Sequence, residues 1–128
     1  MRRLLPLVLV LGLSLAQGLP QVREVDEGTV YWFLVNQAQE VFAVGVPPER
    51  IGDALKGKRV TLVLGSERPP AWAREARVVR LGGTPFSGGF LLVNGRYLVG
   101  QKSRTLWLIL DSPQVVAILM GYFSPLVR

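Results

Sequence analysis

Phe90-Leu91-Leu92-Val93-Asn94-Gly95-Arg96-Tyr97-Leu98-Val99 is the stretch whose reading decides the fold. Two apolar runs flank an Asn-Gly pair. A tight type I′ hairpin turn needs positive φ at both central residues, and Asn-Gly supplies this at least cost. The reading is a β-hairpin in which Val93 pairs with Arg96, Leu92 with Tyr97 and Leu91 with Leu98.

Further strands are expected on both sides of it. Downstream, Thr105 to Leu110 is apolar and reads as a strand, with Trp107 in the core. Asp111 is expected to cap whatever begins at Ser112. Val115 to Phe123 carries two signals. Ser112 as N-cap with Pro113 after it favours a helix, whereas Val115, Val116, Ile118 and Gly121 favour a strand. The reading leans to the strand.

Upstream, residues 82–89 form a Gly-rich loop, preceded by a strand over Glu75 to Leu81. Gly65 to Trp72 is a loop holding Pro69-Pro70. Lys58 to Leu64 is a strand with Val60, Leu62 and Leu64 inward. Glu49 to Leu55 is a single helical turn between Pro47-Pro48 and Gly57. Glu40 to Val46 is a strand. Thr29-Val30-Tyr31-Trp32-Phe33-Leu34-Val35, aromatic and β-branched, reads as its hairpin partner, buried on both faces with Trp32 in the core.

About seven short strands at regular spacing predict an all-β domain. The expected form is a small closed or partly open β-barrel of six to seven strands, OB- or SH3-like, with at most one or two short helices.

The N-terminus is read separately. Met1-Arg2-Arg3 is a positive start, Leu4 to Leu15 is an apolar run, and Ser14-Leu15-Ala16-Gln17-Gly18 ends it in small residues. These are the three parts of a secretory signal peptide. Small residues permit cleavage before Gln17 or before Leu19, and retention as an anchor is the alternative. Residues 1–18 are therefore assigned to the signal and 19–128 to one β-rich domain, exported to the periplasm or the extracellular space. No membrane span is expected in the mature chain.

Composition supports this division. Of 128 residues, 49% are hydrophobic, and none is Cys. An exported domain without disulfides must hold together by its core alone. Two of the fifteen basic residues lie in the signal and none of the nine acids, which leaves a modest mature charge of +4. Arg outnumbers Lys twelve to three, and only two residues are Asn. Scarcity of heat-labile residues fits a thermophile's protein, and a GC-rich genome is the alternative source of the excess of Arg, Gly, Pro and Leu.

The absence of His and Cys is chemically decisive for several classes. It removes His-based triads, Cys nucleophiles and ordinary zinc sites. No phosphate-binding P-loop or dinucleotide fingerprint is present, and no metal or cofactor is expected. Glu24, Asp26, Glu27, Glu40, Asp53 and Asp111 are available for carboxylate acid–base work, although solvated surface acids are the plainer reading. Ser103 follows Lys102, but neighbours on a strand point to opposite faces. The chain is expected not to be an enzyme, with a carboxylate-only enzyme left open.

The candidate ligand surface is basic and aromatic: Arg68, Trp72, Arg74, Arg77, Arg80, Phe86, Arg96, Tyr97 and Arg104. Cations beside stacking rings are what a single nucleic-acid strand or an acidic glycan requires. The leading functional expectation is a non-enzymatic binding or structural role in the cell envelope. Its partners would be a protein or polyanionic envelope component, besides signal peptidase on export. An oligonucleotide- or polyanion-binding module using the Arg/aromatic face is the alternative, with nucleic acid the less expected partner.

Overall fold

The structure, a computed structural model, describes residues 21–127 apart from residues 85, 87 and 88. The signal segment assigned to residues 1–18 lies outside the described residues.

Seven strands form one sheet: β1 (Gln21–Val25), β2 (Glu40–Val44), β3 (Arg59–Leu64), β4 (Arg77–Arg80), β5 (Phe90–Val93), β6 (Tyr97–Gln101) and β7 (Trp107–Asp111). Their order across the sheet is β1-β7-β6-β5-β2-β3-β4. β2, β3 and β4 run parallel, and every other neighbouring pair is antiparallel. Among the described residues there are three α-helices: α1 (Glu27–Gln37) joins β1 to β2, α2 (Glu49–Ala54) joins β2 to β3, and α3 (Pro113–Phe123) follows β7. Short 3-10 turns span Ala71–Glu75 and Ser124–Val127.

The expected barrel is therefore corrected to an open mixed sheet, while the strand count and the β-rich character hold. The physical reason lies in what covers the two faces. Val30 and Leu34 of α1 and Ile51 of α2 pack with Val41, Leu62, Leu64, Leu91 and Ile109 on one face. Val116 of α3 packs with Phe42, Val44, Val63 and Leu92 on the other. Helices supply the apolar cover that a barrel gains by closing on itself. A central strand covered on both faces reads as a continuous apolar run, as Val41 to Val44 does.

Thr29 to Val35 is helical, not a strand. Asp26 is the N-cap, its carboxylate accepting from the Thr29 N–H at 2.7 Å. The Thr29 hydroxyl, together with this N–H, holds the Asp26 carboxyl below its ordinary range. Val30 and Leu34 stack one turn apart on the buried side, and Ala38 follows. Trp32 falls on the outer side and is 59% exposed, so its expected core position is also corrected. Strand preference of aromatic and β-branched residues yields to context when a cap and an i, i+4 stripe are both available. With this stretch helical, β2 takes β3 and β5 as partners.

The C-terminal stretch is likewise a helix. The Ser112 hydroxyl accepts from the Val115 N–H at 3.2 Å, and Pro113 occupies the first turn. The cap is thus Ser112. Asp111 instead faces Arg96 across two hydrogen bonds of 2.7 and 2.8 Å.

The hairpin forms with a shifted register. Asn94 and Gly95 have φ of 56° and 67°, as a type I′ turn demands. Val93 nevertheless pairs with Tyr97, Leu92 with Leu98 and Leu91 with Val99. Arg96 still donates its N–H to the Val93 carbonyl, but its own carbonyl accepts from Ser112 N–H at 3.0 Å. With that oxygen engaged by the start of α3, the ladder begins one residue later. A one-residue slip exchanges the two faces of β6. Tyr97 and Val99 consequently face α1 and α2, and Leu98 faces α3.

Among the described residues, no helix is long and apolar enough to cross a membrane.

Candidate functional site

Five of the seven strands (β1, β2, β3, β4 and β6) finish at the same end of the sheet, as their pairing directions require. β2 is the branch point. The chain leaves it for β3 on one side and later returns to its other side as β5. Crevices at the carboxyl end of such a switch point are the usual ligand sites of open α/β sheets.

A crevice of about 610 Å³ opens there. One wall is Gly45 to Pro48, leaving β2; another is the main chain of Gly89 and Phe90, entering β5; the third is the Gln101–Arg104 turn after β6. Trp107 also lines it. Two glycines permit this close assembly. A Cβ on Gly89 would collide with the Val44 carbonyl oxygen, and one on Gly65 with the Thr84 carbonyl oxygen. Thr84 and Gly89 can therefore lie directly against the ends of β3 and β2. Gly45 turns the chain out of β2 with φ of 80°.

The turn over residues 102–106 is held by Leu106, whose carbonyl accepts from the Lys102 and Ser103 N–H groups. Lys102 makes an ion pair with Glu24 at 2.9 Å. Arg104, exposed beside it, has no side-chain hydrogen bond or ion pair among the described residues.

The structure divides the nine residues singled out from sequence. Arg68, Arg80 and Arg104 follow or close β3, β4 and β6 at the carboxyl end. Arg80 is partly spent, donating to the Glu67 carbonyl at 3.1 Å. Phe86 belongs to the same end but packs inward beneath α3. Arg77 begins β4 at the opposite end. Arg96 and Tyr97 are at that opposite end too. There Arg96 pairs with Asp111 and lies over the Tyr97 ring, its centre 5.0 Å from the centroid, while Tyr97 packs edge-on against Phe33. Trp72 and Arg74 lie on the 3-10 turn, with Trp72 packed on Gly52. The single Arg/aromatic face expected from sequence is not formed. A subset at one sheet end remains.

The candidate carboxylates are mostly occupied elsewhere. Asp26 caps α1, Glu24 binds Lys102, Glu40 meets Arg59 at 3.5 Å, Asp53 meets Lys56 at 3.2 Å, and Asp111 is held by Arg96. The Arg96 guanidinium keeps the Asp111 carboxyl below its ordinary range, and the same contact raises Arg96. Among the described residues, no group of acidic side chains could hold a metal ion.

Sequence reasoning missed Glu67. One carboxylate oxygen accepts from the Phe86 N–H at 3.1 Å, and the other is buried with no hydrogen-bond partner among the described residues. A lone Glu in a loop between Ser66 and Arg68 carries no pattern that would have marked it.

The fold is shared with solved structures of very different sequence. Nuc from Salmonella typhimurium, a phospholipase D family member, superposes with a TM-score of 0.62 at 10% identity, over 83% of this chain and 93% of that one. NucT from Helicobacter pylori gives 0.59 at 8% identity, over 84% and 95%. TrmBL2, described as an archaeal chromatin protein with a novel mode of DNA binding, gives 0.51 at 13% identity, over 93% of this chain and 57% of that one. Neither a protein-family model nor a curated protein matches the sequence.

These likenesses concern the fold, and they correct one expectation. The chain was expected not to be an enzyme because His and Cys are absent. A phospholipase D family member uses this same architecture, so the fold cannot be counted as a non-catalytic one.

Proposed function

We propose that this is an exported domain that binds a single nucleic-acid strand through its phosphates, at the carboxyl end of the sheet. The observation that carries the reading is the crevice at the β2 switch point, flanked by the unengaged Arg104 guanidinium. Gly45, which turns out of β2 with positive φ, leaves that wall of the crevice without a side chain. Arg68 and Arg80 stand at the same sheet end, where they extend the basic surface beyond a single phosphate. Support of a general kind comes from the fold's occurrence in a phospholipase D family member and in a DNA-binding chromatin protein. Export rests on the N-terminal pattern Arg2-Arg3, Leu4–Leu15, Ala16 and Gly18.

The test is binding of a fluorescent single-stranded octanucleotide across a salt series. Log K should fall with log salt by about 0.7 per phosphate contacted, and Arg104→Gln should weaken binding and flatten that slope. Absence of binding, or binding indifferent to salt and to Arg104→Gln, overturns the reading. Preference for an acidic glycan over the oligonucleotide would return the chain to the envelope-polyanion reading. Mass spectrometry of the N-terminus of the protein recovered from its natural host tests export, with Gln17 or Leu19 expected as the first residue.

A further inference from the structure

Lys102 and Arg104 are the basic residues that line the crevice at the β2 switch point, and no acidic residue lines it among the described residues. The two cations are in different states. Arg104 is exposed and unengaged among the described residues. The Lys102 ammonium is held by the Glu24 carboxylate, Nζ to Oε1, at 2.9 Å. Glu24 itself is outside the crevice wall. It belongs to β1, opposite Leu108 of β7, and its neighbour Val25 packs against the core on the α1 and α2 side. Adjacent strand residues point to opposite faces, so Glu24 turns to the other side of the sheet. β7 lies between β1 and β6, and the ion pair reaches over it. Lys102 thus stands in the wall of the crevice with its charge tied to a group beyond that wall.

We propose that Lys102 is the second phosphate-binding cation of the crevice and that Glu24 competes with the ligand for it. This rests on the reading of the crevice as a phosphate site and adds a control on its affinity. The side chains of Lys102 and Glu24 are 52% and 53% exposed. A pair so exposed is held weakly, because water solvates either partner once they part. The lysine stem is flexible and its ammonium carries three rotatable donors. A phosphate oxygen and a carboxylate oxygen offer that ammonium the same kind of anionic acceptor. Without ligand, Lys102 is paired with Glu24. With a strand in the crevice, the ammonium turns to a phosphate and the Glu24 carboxylate returns to water. Arg104 has no such competitor, so its contact is made at full strength, whereas that of Lys102 is reduced by the loss of its pair.

The experiment titrates the full chain, Glu24→Gln, Lys102→Gln and the double variant with the single-stranded octanucleotide across a salt series. Glu24→Gln should strengthen binding by roughly two- to fivefold, the scale of an exposed ion pair, and steepen the salt dependence by up to about 0.7. Lys102→Gln should weaken binding. Removing an acid near a polyanion also helps through space, so the gain must be shown to pass through Lys102. In the Lys102→Gln background Glu24→Gln should therefore have little effect, a coupling that the double-mutant cycle isolates. An equal gain with and without Lys102 means that Glu24 acts by its charge alone, and overturns the proposal. Unchanged or weakened binding by Glu24→Gln overturns it too, as expected of a pair that merely holds the turn over residues 102–106. In both cases Arg104-dependent binding leaves the crevice reading standing. If no form binds the octanucleotide, both fall together. Should a variant fail to fold, the side-chain resonances of Lys102 in the labelled, unaltered chain decide. They should move on titration while those of Lys56 and Lys58 stay, and an unmoved Lys102 overturns the proposal.

Discussion

Arg96 holds Asp111 by two parallel bonds, Nε to Oδ1 at 2.7 Å and the second guanidinium nitrogen to Oδ2 at 2.8 Å, and so ties the β5–β6 hairpin to the end of β7. The forked geometry is the strong form of such a pair. Folding lowers the Asp111 pKa, so the contribution is present above the ordinary value of 3.8 and is lost as pH falls through the folded value. Asp111→Asn should therefore lower stability near neutrality by about 0.5–1 kcal/mol, because the pair is partly solvated. Urea denaturation at pH 7 and at pH 3 measures this. The gap between variant and unaltered chain should narrow at the lower pH.

Gly89 is required by its neighbour. A Cβ there would meet the Val44 carbonyl oxygen, a main-chain atom that cannot swing aside. Gly89→Ala must push the start of β5 away from the end of β2, at a cost of about 1–3 kcal/mol by analogy with other forced repacking. Because both residues wall the crevice, ligand affinity should fall with stability. Gly95 has open space around it but a φ of 67°. Gly95→Ala should therefore lose stability through backbone strain alone, about 1–2 kcal/mol, and leave binding unaltered. Thermal melts paired with the octanucleotide titration separate the two outcomes.

Ser112 is 2% exposed and caps α3, whose outer face carries Ile118 at 71% and Tyr122 at 69% exposure. Only Val116 of this helix is fully buried, so its formation leans heavily on the cap. Ser112→Ala should cost about 1–2 kcal/mol. Amide hydrogen exchange should show the loss concentrated in Val115 to Phe123, with β2 and β3 unchanged.

These positions show how far the sequence could be read. Elements flanked by unmistakable punctuation were legible: Pro47-Pro48 and Gly57 bound α2, and Asn94-Gly95 makes the hairpin. Apolar runs without such marks were not. Thr29–Val35 has strand-like residues, and only Asp26, one turn before Val30, reveals a helix. Val115–Phe123 is apolar on all sides, so its period carries no direction, and Ser112-Pro113 was the informative signal. Reading both as helices would have turned a run of strands into alternating elements, and a barrel into a layered sheet. The crevice was less visible still. Gly45, Gly89 and Trp107 lie at the ends of three separate strands, and the β2–β5 pairing with the β5–β6–β7 meander brings those ends together. Arg104 was noticed for its charge, whereas Trp107 was set aside as core, which it is.

Asn94 does more than shape a turn. Its side-chain oxygen accepts from the Gln39 and Glu40 N–H groups at 2.8 and 3.1 Å, and its amide nitrogen donates to the Gln37 carbonyl at 2.7 Å. The turn thereby clasps the passage from α1 into β2, more than fifty residues earlier. Two substitutions separate the roles. Asn94→Gly keeps the positive φ and deletes the clasp, which should cost about 1–2 kcal/mol, since these exposed bonds are partly replaced by water. Asn94→Ala deletes the clasp and also strains the backbone, adding about 1 kcal/mol more. If the two variants melt at the same temperature, the left-handed conformation contributes nothing. If Asn94→Gly melts with the unaltered chain, the clasp is ornamental, and the strong local preference of Asn-Gly was the whole of its role.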